Sequence, residues 1–572
     1  MSFIKSYSEY ISKFLVFLIF SVNISVAQNI NDIPESPIND YFKSLKTQGL
    51  LPEYDDVILP LSKKKINYFI EKIDRRQDEL SPIDLQKLSL FKKQYSYLKN
   101  SYDEAISVFG DKGSNFNDFF NSDYPVYFYD YQDSLFLFTL NPLLSYRNLT
   151  DLRDHKNPFS ASLFSYGGEV SLSYSDWLGI KFNAWNGALI GNRETALFDS
   201  RVAQSYTYND TQLNYFDGTE GYLLIEKDIF SFQFGRERLL WGSGVINKTI
   251  LDKTSPIFDF LKFNLSYKKV TFDFLHGWLI EKPHSVYIDS TKDYGKTKAA
   301  KYIAISRFGY KPFDNLFIGL TQSIIYSNRP FEAAYLTPFL FWESAQRSMN
   351  DMDNSFLGFD IRYFPVKGAL ISSSITFDDI NFDYWLKGEW ETSNNAVVIQ
   401  LGTHLTRPIF PDFLELKLEY LQIRPYTYSH YGFETALSYT NNGYLLGANY
   451  QPNSLVYSLL ADFFITSKLL VRFGLDYLKH GKNSYDSNGI MIKNVGGDVF
   501  VSTNSLTGYF SRLLDGELEI GNKYKLFINY NYSYNFKFDL NILYSQNEFK
   551  GNRVKDFIVA LTIRFNQQLL NF

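Results

Sequence analysis

The spacing of apolar residues changes once along the chain, from a helical period to a strand period. Between about residues 30 and 100 apolar positions recur every three or four residues, which predicts short amphipathic helices. Serine caps a helix and proline is tolerated in its first turn. Three helix starts are marked in this way, at Ser36-Pro37, Ser62 and Ser81-Pro82. Each helix carries one apolar stripe, so the segment must pack against another part of the protein.

After about residue 126 apolar and polar residues alternate, which predicts β-strands. In one such segment Leu418 and Tyr420 alternate with Lys417 and Glu419. The longest alternating run covers residues 526–538 and predicts one long strand. We count about 16 to 18 alternating segments, and an even number is expected of a bacterial membrane barrel.

The chain is therefore predicted to be mainly β, a transmembrane antiparallel β-barrel of about 16–18 strands preceded by a small N-terminal helical segment. Backbone groups in lipid must all be paired, so the strands must close on themselves. Their apolar faces would meet lipid and their polar faces would line the interior. A secreted two-sheet sandwich is the alternative, but the length of the segments and the 18% aromatic content favour the barrel.

The N-terminus has the features of an export signal. Two lysines precede an apolar run at residues 14–20, and Ser25-Val26-Ala27 has the small residues of a cleavage site. A membrane anchor is the alternative, but Ser21 and Asn23 make the run too short. We predict a signal peptide at 1–27, a periplasmic helical segment at 28–120 and an outer-membrane barrel at 121–572. Four long polar stretches are the expected extracellular loops, at 186–221, 282–298, 328–355 and 479–506.

Several kinds of chemistry are disfavoured. A net charge of −5 does not indicate nucleic-acid binding, and the absence of cysteine excludes disulfides, thiol catalysis and cysteine-based zinc sites. The six histidines do not occur at metal-ligand spacing, and the sequence has no phosphate loop or nucleophile elbow. We therefore predict no catalytic residues, no metal and no cofactor. Asp378 and Asp379 are adjacent in a predicted strand and would point to opposite faces rather than form an acid pair.

The most distinctive stretch is residues 232–263. A short predicted strand leads into a loop in which Trp241 follows Arg236 and Arg238 and precedes Gly242 and Gly244. Arginine forks and an exposed aromatic ring suit a ligand that is rich in hydroxyls or anionic. The alternative is a glycine turn with an interfacial tryptophan.

The order of several motifs resembles one family, the Wzi-like capsule assembly proteins of Gram-negative outer membranes. The motifs are Gly235-Arg236, Trp241-Gly242-Ser243-Gly244, Ser255-Pro256-Ile257-Phe258, Arg307, Glu332 with Tyr335-Leu336-Thr337-Pro338, Asp378-Asp379, Glu419-Tyr420 and Arg424-Pro425-Tyr426. The chain departs from the family where it has one proline at 256 in place of two. The resemblance implies a barrel of about 18 strands, a periplasmic helical segment and loops folded over the outer mouth.

The resemblance also implies a lectin-like function, anchoring capsular or other surface polysaccharide at the cell surface. The expected partners are this polysaccharide, outer-membrane lipid and the barrel assembly machinery, with no nucleic acid. The alternative function is a porin or transport channel for small polar solutes. The polysaccharide site is predicted to comprise Arg236, Arg238, Trp241, Gly242, Gly244, Phe258, Arg307, Glu332, Tyr335, Asp378, Asp379, Glu419, Arg424 and Tyr426.

Overall fold

Eighteen antiparallel strands close into a barrel in the computed structural model of the protein. In chain order the strands are β1 Phe136–Asp151, β2 Phe159–Tyr174, β3 Leu178–Gly191, β4 Tyr215–Lys227, β5 Phe230–Glu237, β6 Phe258–Tyr267, β7 Val270–Ile280, β8 Ala300–Phe313, β9 Leu316–Ser327, β10 Asn354–Val366, β11 Ala369–Asp379, β12 Ala396–Leu405, β13 Leu414–Ile423, β14 Ser454–Phe464, β15 Leu469–Lys482, β16 Glu517–Asn531, β17 Phe536–Phe549 and β18 Asn552–Phe565. Pairing of β18 with β1 closes the barrel. The mainly β fold and the predicted number of strands are confirmed.

The structure describes residues 29–95, 106–109, 116–153, 158–205, 214–281, 300–379, 386–388, 395–430, 435–501 and 511–566. The predicted signal peptide at 1–27 lies outside these residues. Short turns join the strands at one end of the barrel, which we call the short-turn end. Longer connections leave the other end, the long-loop end, and include 192–214, 238–257, 328–353, 424–453 and 483–516.

The alternation of residues in the wall follows the prediction. On β13 the outward Leu418 is 39% exposed, whereas its neighbours Lys417 and Glu419 are buried in the interior. The barrel therefore has an apolar outer face and a polar lumen, as expected of a barrel that spans a membrane.

The prediction of one long strand over residues 526–538 is wrong. The run is a hairpin, because β16 ends at Asn531 and β17 begins at Phe536. In the turn, Ser533 Oγ accepts a hydrogen bond from the Phe536 amide at 3.1 Å, and Asn535 donates to the carbonyl of Val126 at 2.9 Å. A turn of four residues preserves the period of two, so the sequence pattern runs through it without a break.

The three predicted N-terminal helices are confirmed. They are α1 Pro37–Thr47, α2 Lys63–Asp74 and α3 Pro82–Tyr95, and shorter helices follow at Asp118–Asn121, Arg193–Ala196, Ser200–Ala203 and Trp342–Met349. Ser62 caps α2 by accepting the Lys65 amide at 3.2 Å. The apolar stripes of the three helices meet in one core that includes Phe42, Phe69 and Phe91. In the described part of the chain, no helix is long and apolar enough to cross a membrane.

The helical segment lies inside the barrel at the short-turn end. Asp40 of α1 pairs with Arg472 of the wall at 3.0 Å, and the Thr47 carbonyl accepts the amide of Gly368 at 2.8 Å. Between α1 and α2 in the chain, Asp56 pairs with the lumen-facing Arg362 at 2.5 Å. The segment therefore fills the lumen from one end and is fastened there by buried charges.

Candidate functional site

Residues 238–257, which we call the inward loop, leave the wall between β5 and β6 and cross the lumen. Leu240–Trp241 pairs antiparallel with Ile58–Leu59 of the helical segment. The Gly242 amide donates to the carbonyl of Val57 at 2.9 Å. Gly242 has φ 144°, which favours glycine. The inward loop and the helical segment thus enter the lumen from opposite ends and meet inside it.

Trp241 is the centre of this meeting point and is 0% exposed. It belongs to the main lumen core together with Leu251, Phe258 and Phe260. The expectation of an exposed aromatic ring at Trp241 is therefore wrong, because the loop turns into the barrel and the indole is buried there. Phe258, the first residue of β6, is buried in the same core.

Glu419 holds the inward loop against β13. Its carboxylate accepts the backbone amides of Val245 and Ile246 at 2.9 Å each, the amide of Asn247 at 3.0 Å and the Asn247 side chain at 2.8 Å. A carboxylate that receives several N–H groups forms strong, charge-assisted hydrogen bonds. A Cβ at Gly244 would lie 2.1 Å from the Asn247 carbonyl, so only glycine fits this turn.

Lys248, which belongs to the inward loop, holds the loop together from within. Its ammonium donates to the carbonyls of Gly242 and Gly244 at 2.7 and 3.0 Å and lies 3.8 Å from Asp56. Burial lowers the pKa of Lys248 to about 8, against the opposing effect of Asp56. The inward loop is therefore held by the carboxylate of Glu419 on the wall and by the ammonium of its own Lys248.

Four other predicted residues hold the wall and loops together. Their bonds are Arg307 to Asp360 at 2.8 Å, Arg424 Nε to the Asn395 carbonyl at 3.0 Å, the Tyr426 hydroxyl to the Asn494 carbonyl at 3.1 Å, and the Tyr428 amide to Asp378 at 2.5 Å. Asp379 ends β11, and its side chain lies outside the described part of the structure. These residues do not converge on one surface with Arg236.

Glu332 and Tyr335 lie on the outside of the barrel. Residues 328–353, which we call the outer arm, fold back over outward-facing residues of β7 to β9. Tyr335 is buried there, with its ring 5.0 Å from that of Tyr326 and its hydroxyl 2.5 Å from Asp353. The expectation that Glu332 and Tyr335 join Trp241 in one site is therefore wrong, because the barrel wall separates them.

Arg236 and Arg238 line a cavity of about 470 Å³, which we call the rim pocket. It lies where the inward loop leaves and rejoins the wall, beside Pro256 and Ile257. Arg236 is bidentate to Asp259 at 2.7 and 2.9 Å. Arg238 donates to the carbonyl of Lys253. The pocket volume is within the range of roughly 300–1,000 Å³ that is typical of ligand sites.

The wall is lower beside the rim pocket. β4 pairs with β3 along residues 215–225 but with β5 only along 221–227. Among the described residues, 215–220 therefore have a strand partner on one side only. Asp217 and Glu220 of this part of β4 border the pocket.

The remaining lining comes from residues that the sequence patterns did not single out. Two short helices in 193–203 enter the lumen and bring Arg201 over Trp185 and Phe216, with its guanidinium 5.8 and 5.2 Å from the two ring centroids. Arg201 and the buried Arg147 share Asp199, at 2.9 and 3.1 Å. Burial would raise the pKa of Asp199, but the two guanidinium groups outweigh it and lower that pKa to about 2.

One sequence signal could have revealed these helices. Asn192 and Asp199 each accept an amide two or three residues further on and so cap the two short helices. The predicted loop at 186–221 is wrong at both ends, because β3 continues to Gly191 and β4 begins at Tyr215. In the part of the chain described here, no group of three acidic or histidine side chains could hold a metal ion.

An 18-stranded antiparallel barrel with an apolar outer face, filled by helices and an inward loop, defines the outer-membrane type of β-barrel. The chain is similar in fold to Wzi of Escherichia coli, an outer-membrane protein involved in group 1 capsule assembly and a carbohydrate-binding β-barrel. The two share 11% identity at a TM-score of 0.55, over 95% of this chain and 100% of Wzi. The fold that the motifs implied is thus confirmed.

Porins of the Occ group are less similar. Acinetobacter baumannii OccAB4 has a TM-score of 0.42 at 9% identity, covering 76% of this chain and 98% of the porin. Pseudomonas aeruginosa OpdK has a TM-score of 0.41 at 7% identity, covering 75% and 98%. No protein-family profile and no curated protein matches the chain by sequence. At these identities the likenesses concern the fold, and the function has to be argued from the site.

Proposed function

We propose that the protein is an outer-membrane lectin-like barrel that holds capsular or other surface polysaccharide in the rim pocket. The observation that carries this proposal is the rim pocket itself, in which Trp185 and arginine side chains lie among carboxylate and amide groups. Such a pocket lies beside a lumen that the helical segment and the inward loop occupy. This combination favours retention of a ligand over its passage.

The side chains of the rim pocket suit a sugar chain. An indole ring offers an apolar face to a pyranose ring, and the Arg201 guanidinium lies 5.8 Å from the centroid of the Trp185 indole. Asn183, Asp217 and Glu220 present planar polar groups to hydroxyls. Arginine forks bind carboxylates in two places at once, which would suit a glycan that contains uronic acid.

In this proposal the chain is exported by its signal peptide and inserted into the outer membrane by the barrel assembly machinery. Outward aromatic residues such as Tyr363 and Phe359, 41% and 45% exposed, support contact with lipid. The long-loop end would face the cell exterior, so that the rim pocket could meet polysaccharide. The helical segment would face the periplasm.

The alternative function is a transport channel, and conductance separates the two. Because the inward loop and the helical segment meet inside the lumen, we expect the purified barrel in planar bilayers to give small or no steady currents. Steady open currents of porin size would contradict retention as the main function and support transport.

Retention in cells tests the proposal directly. Deletion of the gene should move polysaccharide from the cell surface into the medium, and the wild-type gene should restore it. Trp185→Ala should fail to restore it, because the stacking face is lost. Trp177→Ala is the matched control, since Trp177 lies beside Tyr174 at the short-turn end. Equal restoration by both variants, with equal amounts of folded barrel, would contradict the proposal.

A further inference from the structure

A second cavity, of about 160 Å³, lies between the helical segment, the inward loop and the wall near the turn at 466–469. We call it the basic cavity, because nine lysine or arginine side chains and only three carboxylates line it. It shares no lining residue with the rim pocket. Such an excess of one charge inside a barrel calls for a physical explanation.

Most of these cations are neutralised by the protein. Arg472 lies 2.5 Å from Asp462 and 3.0 Å from Asp40, and Arg564 lies 2.5 Å from Asp539. These groups form buried pairs that hold the helical segment to the wall.

Three cations are different. Within the described part of the chain, no carboxylate lies within 4 Å of the ammonium of Lys87, Lys253 or Lys537, although all three line the basic cavity. They come from separate elements, since Lys87 is on α3, Lys253 on the inward loop and Lys537 on β17. The three lysines are therefore brought to one cavity by the fold and not by their proximity in sequence.

The surroundings of these lysines penalise positive charge. Lys87 is only 4% exposed, and a close contact that favours its charge is the face of the Phe464 ring, whose centroid lies 3.1 Å from the ammonium. Burial lowers the pKa of Lys87. Burial also lowers the pKa of Lys253, and the positive charges of Lys525 and Arg472 add to this effect, whereas the neighbouring Asp252 opposes it. Burial raises the pKa of Glu35, one of the three carboxylates, which weakens its ability to neutralise the cavity.

We propose that the basic cavity binds a small oxyanion, a phosphate or a carboxylate group, through Lys87, Lys253 and Lys537. The volume of about 160 Å³ is about one third of the 470 Å³ of the rim pocket, which suits a single small anion better than an oligosaccharide. A bound oxyanion would join α3, the inward loop and β17 through charge-assisted hydrogen bonds. The packing of the helical segment and the inward loop inside the lumen would then be more stable with this ligand than without it.

Calorimetric titration of the full-length barrel in detergent tests this inference. Inorganic phosphate and galacturonate are the probes, at constant ionic strength set with chloride, and galactose is the neutral control. We expect saturable binding of phosphate, with or without galacturonate, and no binding of galactose. Phosphate alone would point to a phosphorylated ligand, whereas binding of both, with both lost when the lysines are replaced, would extend the site to sugar acids. No saturable binding of either anion by the wild type would overturn the inference.

The double variant Lys253→Gln/Lys537→Gln should bind the anion at least tenfold more weakly, because two of three cations are removed. Lys268→Gln is the matched control, since Lys268 is exposed in the turn between β6 and β7. Unchanged affinity in the double variant would overturn the site. The phosphate arm and the double variant are independent of the polysaccharide proposal. Galacturonate could also bind the arginines of the rim pocket, so only galacturonate binding that is lost in the double variant belongs to the basic cavity.

Discussion

Glu419→Gln should release the inward loop without unfolding the barrel. The Glu419 carboxylate accepts three backbone amides and one side-chain amide of residues 245–247, at 2.8 to 3.0 Å. Glutamine has the same shape but no charge, and its amide nitrogen cannot accept a hydrogen bond. The substituted side chain would therefore leave part of this buried set unpaired.

The expected loss can be estimated from these contacts. A hydrogen bond to a charged group contributes about 1.5–3 kcal/mol, and an unpaired buried amide costs a similar amount. Glutamine keeps one accepting oxygen, so we expect the closed form of the loop to lose about 3 kcal/mol. This corresponds to roughly a 100-fold increase in the population of the open form.

Cysteine labelling measures this opening, because the native chain contains no cysteine. Ser243→Cys places a thiol in the loop at a position that is only 6% exposed, and its reaction with a maleimide should be roughly 100-fold faster in the Glu419→Gln background. Glu415→Gln is the matched control, since Glu415 faces the lumen from the same strand but bonds His404 at 2.9 Å instead of the loop. Equal labelling rates in the native and Glu419→Gln backgrounds would refute this account of how the loop is held.

Three further predictions concern the inward loop, the helical segment and the outer arm. Trp241→Ala removes a fully buried indole and should cost about 3–5 kcal/mol, so the inward loop should become sensitive to protease while the barrel still migrates as folded; resistance equal to wild type would contradict this. Burial lowers the pKa of Lys46 to about 7, far below about 10.4 for a free lysine. The released helical segment then binds more protons than the docked one between these values, so docking should strengthen as pH rises from about 7 to 10. Hydrogen exchange of α1 measures this, and Lys46→Met should flatten the dependence; the same pH slope in both would count against it. Phe339 of the outer arm is 74% exposed on the outer wall, so Phe339→Cys in lipid vesicles should react with a polar maleimide far more slowly than Lys268→Cys; similar rates would mean that the outer arm does not face lipid.

The strands and helices could be predicted because their signals are local. Ser62 and Ser81-Pro82 mark helix starts within a few residues of the observed bounds, and the alternation around Glu419 gives both the strand and the face that points inward. A barrel follows from such strands because lipid leaves no other way to pair the backbone. Strand ends cannot be predicted where a hairpin turn keeps the alternation of apolar and polar residues, as the turn after Asn531 does.

The site was harder to predict because its parts depend on the path of the long connections. The glycines around Trp241 indicate a turn, but whether that turn enters the lumen depends on the partner strand at Ile58–Leu59, which is remote in sequence. The outer arm carries Glu332 to the opposite side of the wall for a similar reason. Of the residues in the predicted motifs, Arg236 and Arg238 border the rim pocket. Trp185 joins them because β4 pairs with β3 on one side and with β5 on the other.

The most direct test of the central claim is binding of labelled surface polysaccharide to the barrel in lipid vesicles. Retention in the rim pocket predicts saturable binding by the wild type and by Trp177→Ala. Trp185→Ala should bind roughly tenfold more weakly, which corresponds to the loss of about 1.4 kcal/mol of stacking. Equal binding by wild type and Trp185→Ala, or no saturable binding by the wild type, would contradict the account.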